Sequence, residues 1–253
     1  MAEESLRFTA NEIDRIENPG ENEAVYGSTD WFDLLFKNVA PAYTNNVSVS
    51  GGTERLKFFA SVGAYNQEGV IDHTSYDKYN FRSNMDAKVT DNFDLSLDLS
   101  GYVSEDNEPG AGAGKGSYAS IFQQAMLSYP YLKAYSPSGL PVGSLNLDGN
   151  GNNNPVAARD LSGKNTIKKT YFQGNISMKY KLPFVKGLSL KLNASYVKSY
   201  TMQKKYFLPY DLDCWNQSTR SWGVQKGRIA SKASLNQWFT ESQGYTIQPT
   251  VEY

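Results

Sequence analysis

Residues 76–103 read YDKYNFRSNMDAKVTDNFDLSLDLSGYV, and neighbouring positions belong to two different chemistries. Tyr79, Phe81, Met85, Ala87 and Val89 share one side, with Ser83 the exception, while Lys78, Asn80, Arg82, Asn84, Asp86 and Lys88 share the other. After Thr90-Asp91-Asn92 the alternation resumes, with Phe93, Leu95, Leu97, Leu99, Gly101 and Val103 against Asp94, Ser96, Asp98, Ser100 and Tyr102. Successive side chains of a strand point to opposite faces. Period two broken by a tight Asp-Asn turn therefore predicts an antiparallel hairpin with one apolar and one strongly polar face. The fold then turns on what medium each face meets.

Similar strands lie on both sides of this hairpin. Upstream, 43–50 and 55–66 alternate around a Gly51-Gly52-Thr53 turn, the second with Leu56, Phe58, Ala60, Val62 and Ala64 on its apolar side. Downstream, 168–182 sets Phe172, Gly174, Ile176, Met178 and Tyr180 apart from Gln173, Asn175, Ser177 and Lys179. A short Pro-Phe-Val-Lys-Gly link leads to Leu188, Leu190, Leu192, Ala194 and Tyr196, and a last strand carries Tyr245, Ile247, Val251 and Tyr253. Seven strands result. Helical turns are expected near 11–17, at 31–36 behind an Asp30 cap, and at 117–128 capped by Ser117 and stopped before Pro130.

The connections run short, long, short, long, short, long. The residues 67–77, 105–166 and 200–230 make the long ones, and the last holds Tyr206, Tyr210, Trp215 and Trp222. A soluble sandwich has no reason to keep this rhythm, whereas a spanning barrel has short turns on one side and long loops on the other. The fold class expected is all-β: a segment of an antiparallel up-and-down transmembrane β-barrel, with long loops and a short helix. Mean hydropathy of −0.54 fits such a wall, whose every second residue is polar. No run of about 18 apolar residues marks a transmembrane helix.

Composition excludes several functions. The 253 residues carry 25 Lys and Arg against 26 Asp and Glu, so no basic excess points to nucleic acid. One cysteine, Cys214, leaves no internal disulfide, and one histidine, His73, leaves no histidine-based metal site or triad. GAGAGKGS at 110–117 fails as a phosphate loop, because Pro109 and Gly116 stand where glycine and Ser or Thr are required. DGNGN at 148–152 departs from an EF-hand at Asn153 and Arg159, although a looser loop calcium site stays open. No carboxylate pair forms an acid and base, so no enzyme, metal or cofactor is expected.

The residues VSVSGGTERLKFFASVGAYNQEGVI at 47–71, followed by YDKYNFRSNMDAKV, resemble the SusC/RagA-type TonB-linked outer-membrane proteins. Ser50-Gly51-Gly52, Asn66-Gln67-Glu68-Gly69 and Tyr79-Asn80-Phe81-Arg82-Ser83-Asn84 stand where that family repeats SGG, a QEG-type strand end and a Y-x-F-R-x-N strand. Thr29-Asp30-Trp31, Asn154-Pro155-Val156-Ala157, Tyr206-Phe207-Leu208-Pro209 and Thr246-Ile247-Gln248-Pro249 fit as well, while Tyr65 follows Ala64 where the family tends to an aromatic pair. The resemblance implies about seven strands of a 22-stranded barrel. Residues 1–42 would be the first extracellular loop region and 43–253 partial barrel, with a plug and one strand preceding residue 1.

It further implies an outer-membrane transporter of oligosaccharides or peptides. Its partners would be TonB, acting through the plug, a SusD-like surface lipoprotein and membrane lipid, with no nucleic acid. The runner-up is a soluble β-rich carbohydrate-binding module. Candidate substrate-binding residues are the loop aromatics Tyr210, Trp215 and Trp222, with Tyr118 and Phe122 in the other long loop, since flat rings stack on sugar faces. Packing between loops, or against the lid protein, is the alternative use of those rings. On the strands, Tyr79, Phe81, Tyr180 and Tyr196 are assigned to a lipid-facing aromatic girdle.

Overall fold

The computed structural model describes residues 10–18, 26–110, 118–143, 154–216, 219–226 and 232–253. Seven long strands form one antiparallel sheet: β1 (Ala42–Gly52), β2 (Leu56–Glu68), β3 (Ser75–Thr90), β4 (Phe93–Pro109), β5 (Gly163–Lys181), β6 (Ser189–Phe207) and β9 (Ser234–Glu252). Each pairs with the next in that order, so the sheet is an open meander with β1 and β9 at its edges. A two-stranded hairpin, β7 (Leu212–Asn216) and β8 (Ser221–Gln225), stands apart within the β6–β9 connection. Four helices complete the described elements: α1 (Ala10–Glu17), α2 (Trp31–Leu35), α3 (Tyr118–Leu127) and α4 (Pro155–Leu161).

The pairing register keeps the two chemistries apart across the whole sheet. One row runs Phe58, Met85, Leu97, Ile176, Ala194, Ile247, each opposite the next. On the other face Lys88, Asp94, Lys179 and Lys191 form a comparable row. Among the described residues no second sheet covers the apolar face. Every buried hydrophobic side chain among the described residues lies in the loops, and large apolar side chains on the strands stay exposed, Val62 at 60% and Ile247 at 64%.

Connections 53–55, 91–92 and 182–188 lie at one end, the short-turn end, and 69–74, 110–162 and 208–233 lie at the other. The β2–β3 link is shorter than expected, because pairing carries β2 to Glu68 and starts β3 at Ser75. The expected loop 105–166 also shrinks: β4 continues to Pro109 and β5 begins at Gly163, with α3 and α4 between them. β6 likewise runs on to Phe207, which places Tyr206 in a strand rather than in the loop. The helix at 31–35 forms as read, Asp30 accepting hydrogen bonds from the amides of Phe32 and Asp33 at 3.0 Å each. The Ser117 cap and the candidate loops at 111–117 and 148–152 lie outside the described residues.

Two glycines need their missing side chain. A Cβ on Gly52 would sit 2.5 Å from the Leu56 carbonyl, which explains the glycine pair at the β1–β2 turn. Gly163 opens β5 with φ +95°, and a Cβ there would meet the Tyr206 carbonyl at 2.1 Å.

Candidate functional site

At the long-loop end the connections fold into a small body over the polar face. At the strand ends Ser104, Glu108 and Asn165, all on the polar face, are buried, while Lys164 and Lys168 on the apolar side stay exposed. Asn165 donates to Glu108 at 3.2 Å and accepts from Gln203 at 3.1 Å, tying β4, β5 and β6 beneath the body.

The core of that body collects Trp31, Leu35, Ile71, Ile121, Ala125, Ala134, Val156 and Ala158 from α2, the β2–β3 link, α3, the segment after it and α4. Asn154 sits at its centre, 2% exposed. Its side-chain oxygen accepts from the amides of Val156 and Ala157 at 3.0 and 3.2 Å, and its amide donates to the carbonyls of Ala134 and Val142 at 2.8 and 3.1 Å. The Trp31 indole donates to the Tyr129 carbonyl at 2.9 Å. Arg159 donates to the Leu34 carbonyl at 2.6 Å and to Asp160 at 2.7 Å, and lies 3.5 Å from Asp72. The hydrogen bonds it donates to Asp160, above all, hold the guanidinium above its ordinary pKa. Lys37 bridges Asp72 and Glu68 at 3.2 and 3.3 Å, and those hydrogen bonds raise its pKa in the same sense. These ionic links join the segment before β1 to the β2–β3 link and α4.

The structure places the candidate aromatics differently from one another. Tyr210 is 4% exposed, packed with Ala157, Leu212 and Cys214. Trp215 and Trp222 face each other across the β7–β8 hairpin, edge to face at 5.4 Å, and pack against Tyr26, as do Ile16, Tyr131 and Leu132. Phe122 is 45% exposed and meets Phe32 and Phe36 edge-on at 6.3 and 5.8 Å. Tyr118 opens α3, and its side chain lies outside the described residues. Trp215 and Trp222 thus come together with Tyr131, whereas Tyr210 and Phe122 belong to separate clusters.

Burial pushes the Tyr210 phenol up, and its hydroxyl finds no partner among the described residues. An acid with a raised folded-state pKa contributes stability in full below its unfolded value of about 10 and loses it as pH climbs through the folded value. The β7 base is therefore expected to loosen only above about pH 10. An alkaline titration followed at the phenolate absorbance should leave one tyrosine, absent in Tyr210→Phe, ionising after the exposed ones.

A second group of rings was not singled out from the sequence. On the polar face Tyr102 stacks on Tyr171 at 5.4 Å and 20°, and the Lys78 ammonium lies 4.7 Å above the Tyr102 ring. Tyr65 and Tyr76 follow at 6.1 Å. The signal was present: Tyr65, Tyr76, Tyr102 and Tyr171 each occupy a polar-face register position, where an aromatic is out of pattern. These rings face the same side as the loop body, so flat ligands or chain segments passing there meet a stacking surface.

A polar face under a loop body and an opposite face of unburied apolar rows are what a section of barrel wall presents. The comparisons agree. Two curated relatives, both from Formosa agariphila, are TonB-dependent receptor P26, 28% identical over 149 residues, and TonB-dependent receptor P3, 25% identical over 185 residues. These alignments take in 58% and 71% of the chain but only 14% and 18% of the relatives, so the chain spans a small part of their length. The RagAB peptide importer aligns in its closed-closed state with TM-score 0.55 over 94% of this chain and 33% of that one, at 14% identity. In its open-open state the values are 0.57, 80%, 24% and 18%. No protein-family model matches. The chain is similar to TonB-dependent receptors, as the SusC/RagA-type motifs implied, and its fold is a seven-stranded, unclosed section of such a barrel.

Proposed function

We propose that this chain forms part of an outer-membrane TonB-dependent transporter that imports oligosaccharides or peptides with a SusD-like lipoprotein over its mouth. In this reading residues 1–42 belong to the first extracellular loop region and 43–253 to the barrel, and TonB acts through a plug domain. The chain carries out no chemistry. It supplies wall, mouth and stacking surface, with Phe122, Trp215 and Trp222 the loop rings nearest to a role in substrate contact and Tyr210 serving to hold the loop.

The unburied apolar rows carry the proposal. Leaving side chains such as Val47, Val62, Ile247 and Val251 in water forgoes about 1.5–3 kcal/mol each. A few such losses consume a typical folding stability of about 5–15 kcal/mol. Acyl chains remove that cost. Height agrees: the outward row of β4 stays apolar from Phe93 to Val103, about 34 Å along the strand and about 24 Å of depth at a tilt near 45°. Fractionation of cells making the protein tests the reading. Recovery with outer membranes, and release only by detergent, is expected. A soluble monomer melting as one cooperative unit overturns it in favour of a carbohydrate-binding module.

A further inference from the structure

We infer that Asp213, with the Ser136 and Ser138 hydroxyls beside it, holds a calcium ion that ties two of the long loops together. The inference goes beyond the transport reading and stands without it, because every atom involved lies in the loop body.

Asp213, the second residue of β7, is 3% exposed. One of its carboxylate oxygens accepts from the Ser138 hydroxyl at 2.9 Å, and the other meets no donor among the described residues. No lysine, arginine or histidine among those residues pairs with it. Glu108, the other buried acid described, accepts from Asn165 at 3.2 Å and feels the charge of Lys205. A buried carboxylate accompanied by one neutral hydroxyl is costly unless a positive charge joins it.

The groups gathered around that carboxylate are oxygens. Ser136, itself 6% exposed, sets its hydroxyl 2.8 Å from that of Ser138, so side-chain oxygens follow one another from Ser136 to Asp213. Each hydroxyl keeps lone pairs that can turn to a cation. Hard oxygen donors suit calcium, magnesium or manganese rather than softer metals. Magnesium demands a near-ideal octahedron, whereas calcium accepts irregular sets completed by carbonyls and water. Water has a way in, since Ser138 is exposed and the space beside Gly139 is open.

Both sides of the site are held by backbone. The Ser136 amide donates to the Leu140 carbonyl and the Gly139 amide to the Ser136 carbonyl, each at 2.9 Å, which closes the turn carrying the two serines. Asp213 is pinned to the same segment, its amide donating to the Pro141 carbonyl at 2.9 Å and its carbonyl accepting from the Gly143 amide at 2.8 Å. An ion here joins the 110–162 connection to the 208–233 connection, and Trp215 follows two residues along the same face of β7. With a single carboxylate the site belongs at the weak end of calcium binding, a Kd of about 10⁻⁴–10⁻³ M.

The test follows hydrogen exchange of the full-length protein in detergent, stripped with chelator and then given calcium chloride. At about ten times the Kd, opening of β7 and of residues 134–143 should fall about tenfold, with β3–β6 amides unchanged. Asp213→Asn, which keeps the side chain's size and removes its charge, should abolish the response. Ser138→Ala should move it to higher calcium, while Asp91→Asn, on an exposed short turn, should leave it as it was. Terbium should luminesce through the Trp215 indole, yield to added calcium, and stay dark in Asp213→Asn. A response that survives Asp213→Asn places the ion elsewhere and overturns the inference. So do equal protection by sodium chloride at matched ionic strength and no protection by calcium at all. Ser138 is exposed, so its variant can be read even where the buried one does not fold, and an unchanged calcium midpoint there overturns the inference too. None of these outcomes bears on whether the sheet lies in a membrane, which fractionation decides.

Discussion

Leu97→Arg is expected to cost about 2–4 kcal/mol of insertion stability, while Ser96→Arg, one residue away, costs under about 1 kcal/mol. Leu97 stands mid-row on the apolar face, between Met85 and Ile176, several residues from either end of β4. Ser96 points to the other side, where its hydroxyl donates to Asp86 at 2.6 Å and a cation finds carboxylates and water. The contrast separates a depth-dependent lipid penalty from generic damage to a strand, because both substitutions share backbone and charge. Urea titration of the full-length protein folded into vesicles reads it directly. Equal penalties at 96 and 97 would mean that both faces meet the same medium, and no membrane wall would remain.

Asn154→Ala is expected to destabilise the loop body by about 3–4 kcal/mol while leaving the sheet intact. Loss of the cap alone costs about 1 kcal/mol, and each buried partner left unpaired adds about 1–3 kcal/mol before relaxation. Four such groups depend on this one side chain: the amides of Val156 and Ala157 and the carbonyls of Ala134 and Val142. Hydrogen exchange should accelerate sharply in α4 and across 132–143, with β3–β6 amides unchanged. Asn154→Asp retains the cap but sets a buried carboxylate oxygen against the Ala134 and Val142 carbonyls, so it should destabilise the loop body at least as much as alanine does. If exchange accelerates equally in strands and loops, Asn154 is not a local hub.

How much of this was legible in the sequence follows from what alternation records. A strand shows period two only where its faces meet different media. Between Tyr79 and Val89, or Phe93 and Val103, one face meets an apolar medium and the other a polar one, and the hairpin could be read at sight. Toward the long-loop end one face lies under the loop body and the other carries lysines, and the pattern fades: Lys164-Asn165-Thr166-Ile167-Lys168-Lys169 is strand without contrast. That is why β4, β5 and β6 all run further toward the long-loop end than their sequences suggest. The hidden helix α4 had a signal in Asn154-Pro155, a capping residue followed by proline at the first helical position. The β7–β8 hairpin had none comparable, with five residues to a strand.

By itself the sequence determined the strand order, the two faces and their opposite chemistries, since each is written in residues close together along the chain. Tertiary structure alone decided what the loops do. The Trp31 indole finds its carbonyl 98 residues away and the Arg159 guanidinium finds Leu34 across 125, distances over which local periodicity carries no information. The same long-range packing buried Tyr210 and gathered Trp215 and Trp222 around Tyr26. Which rings and charges remain free for a ligand is a property of packing, which only the folded chain possesses.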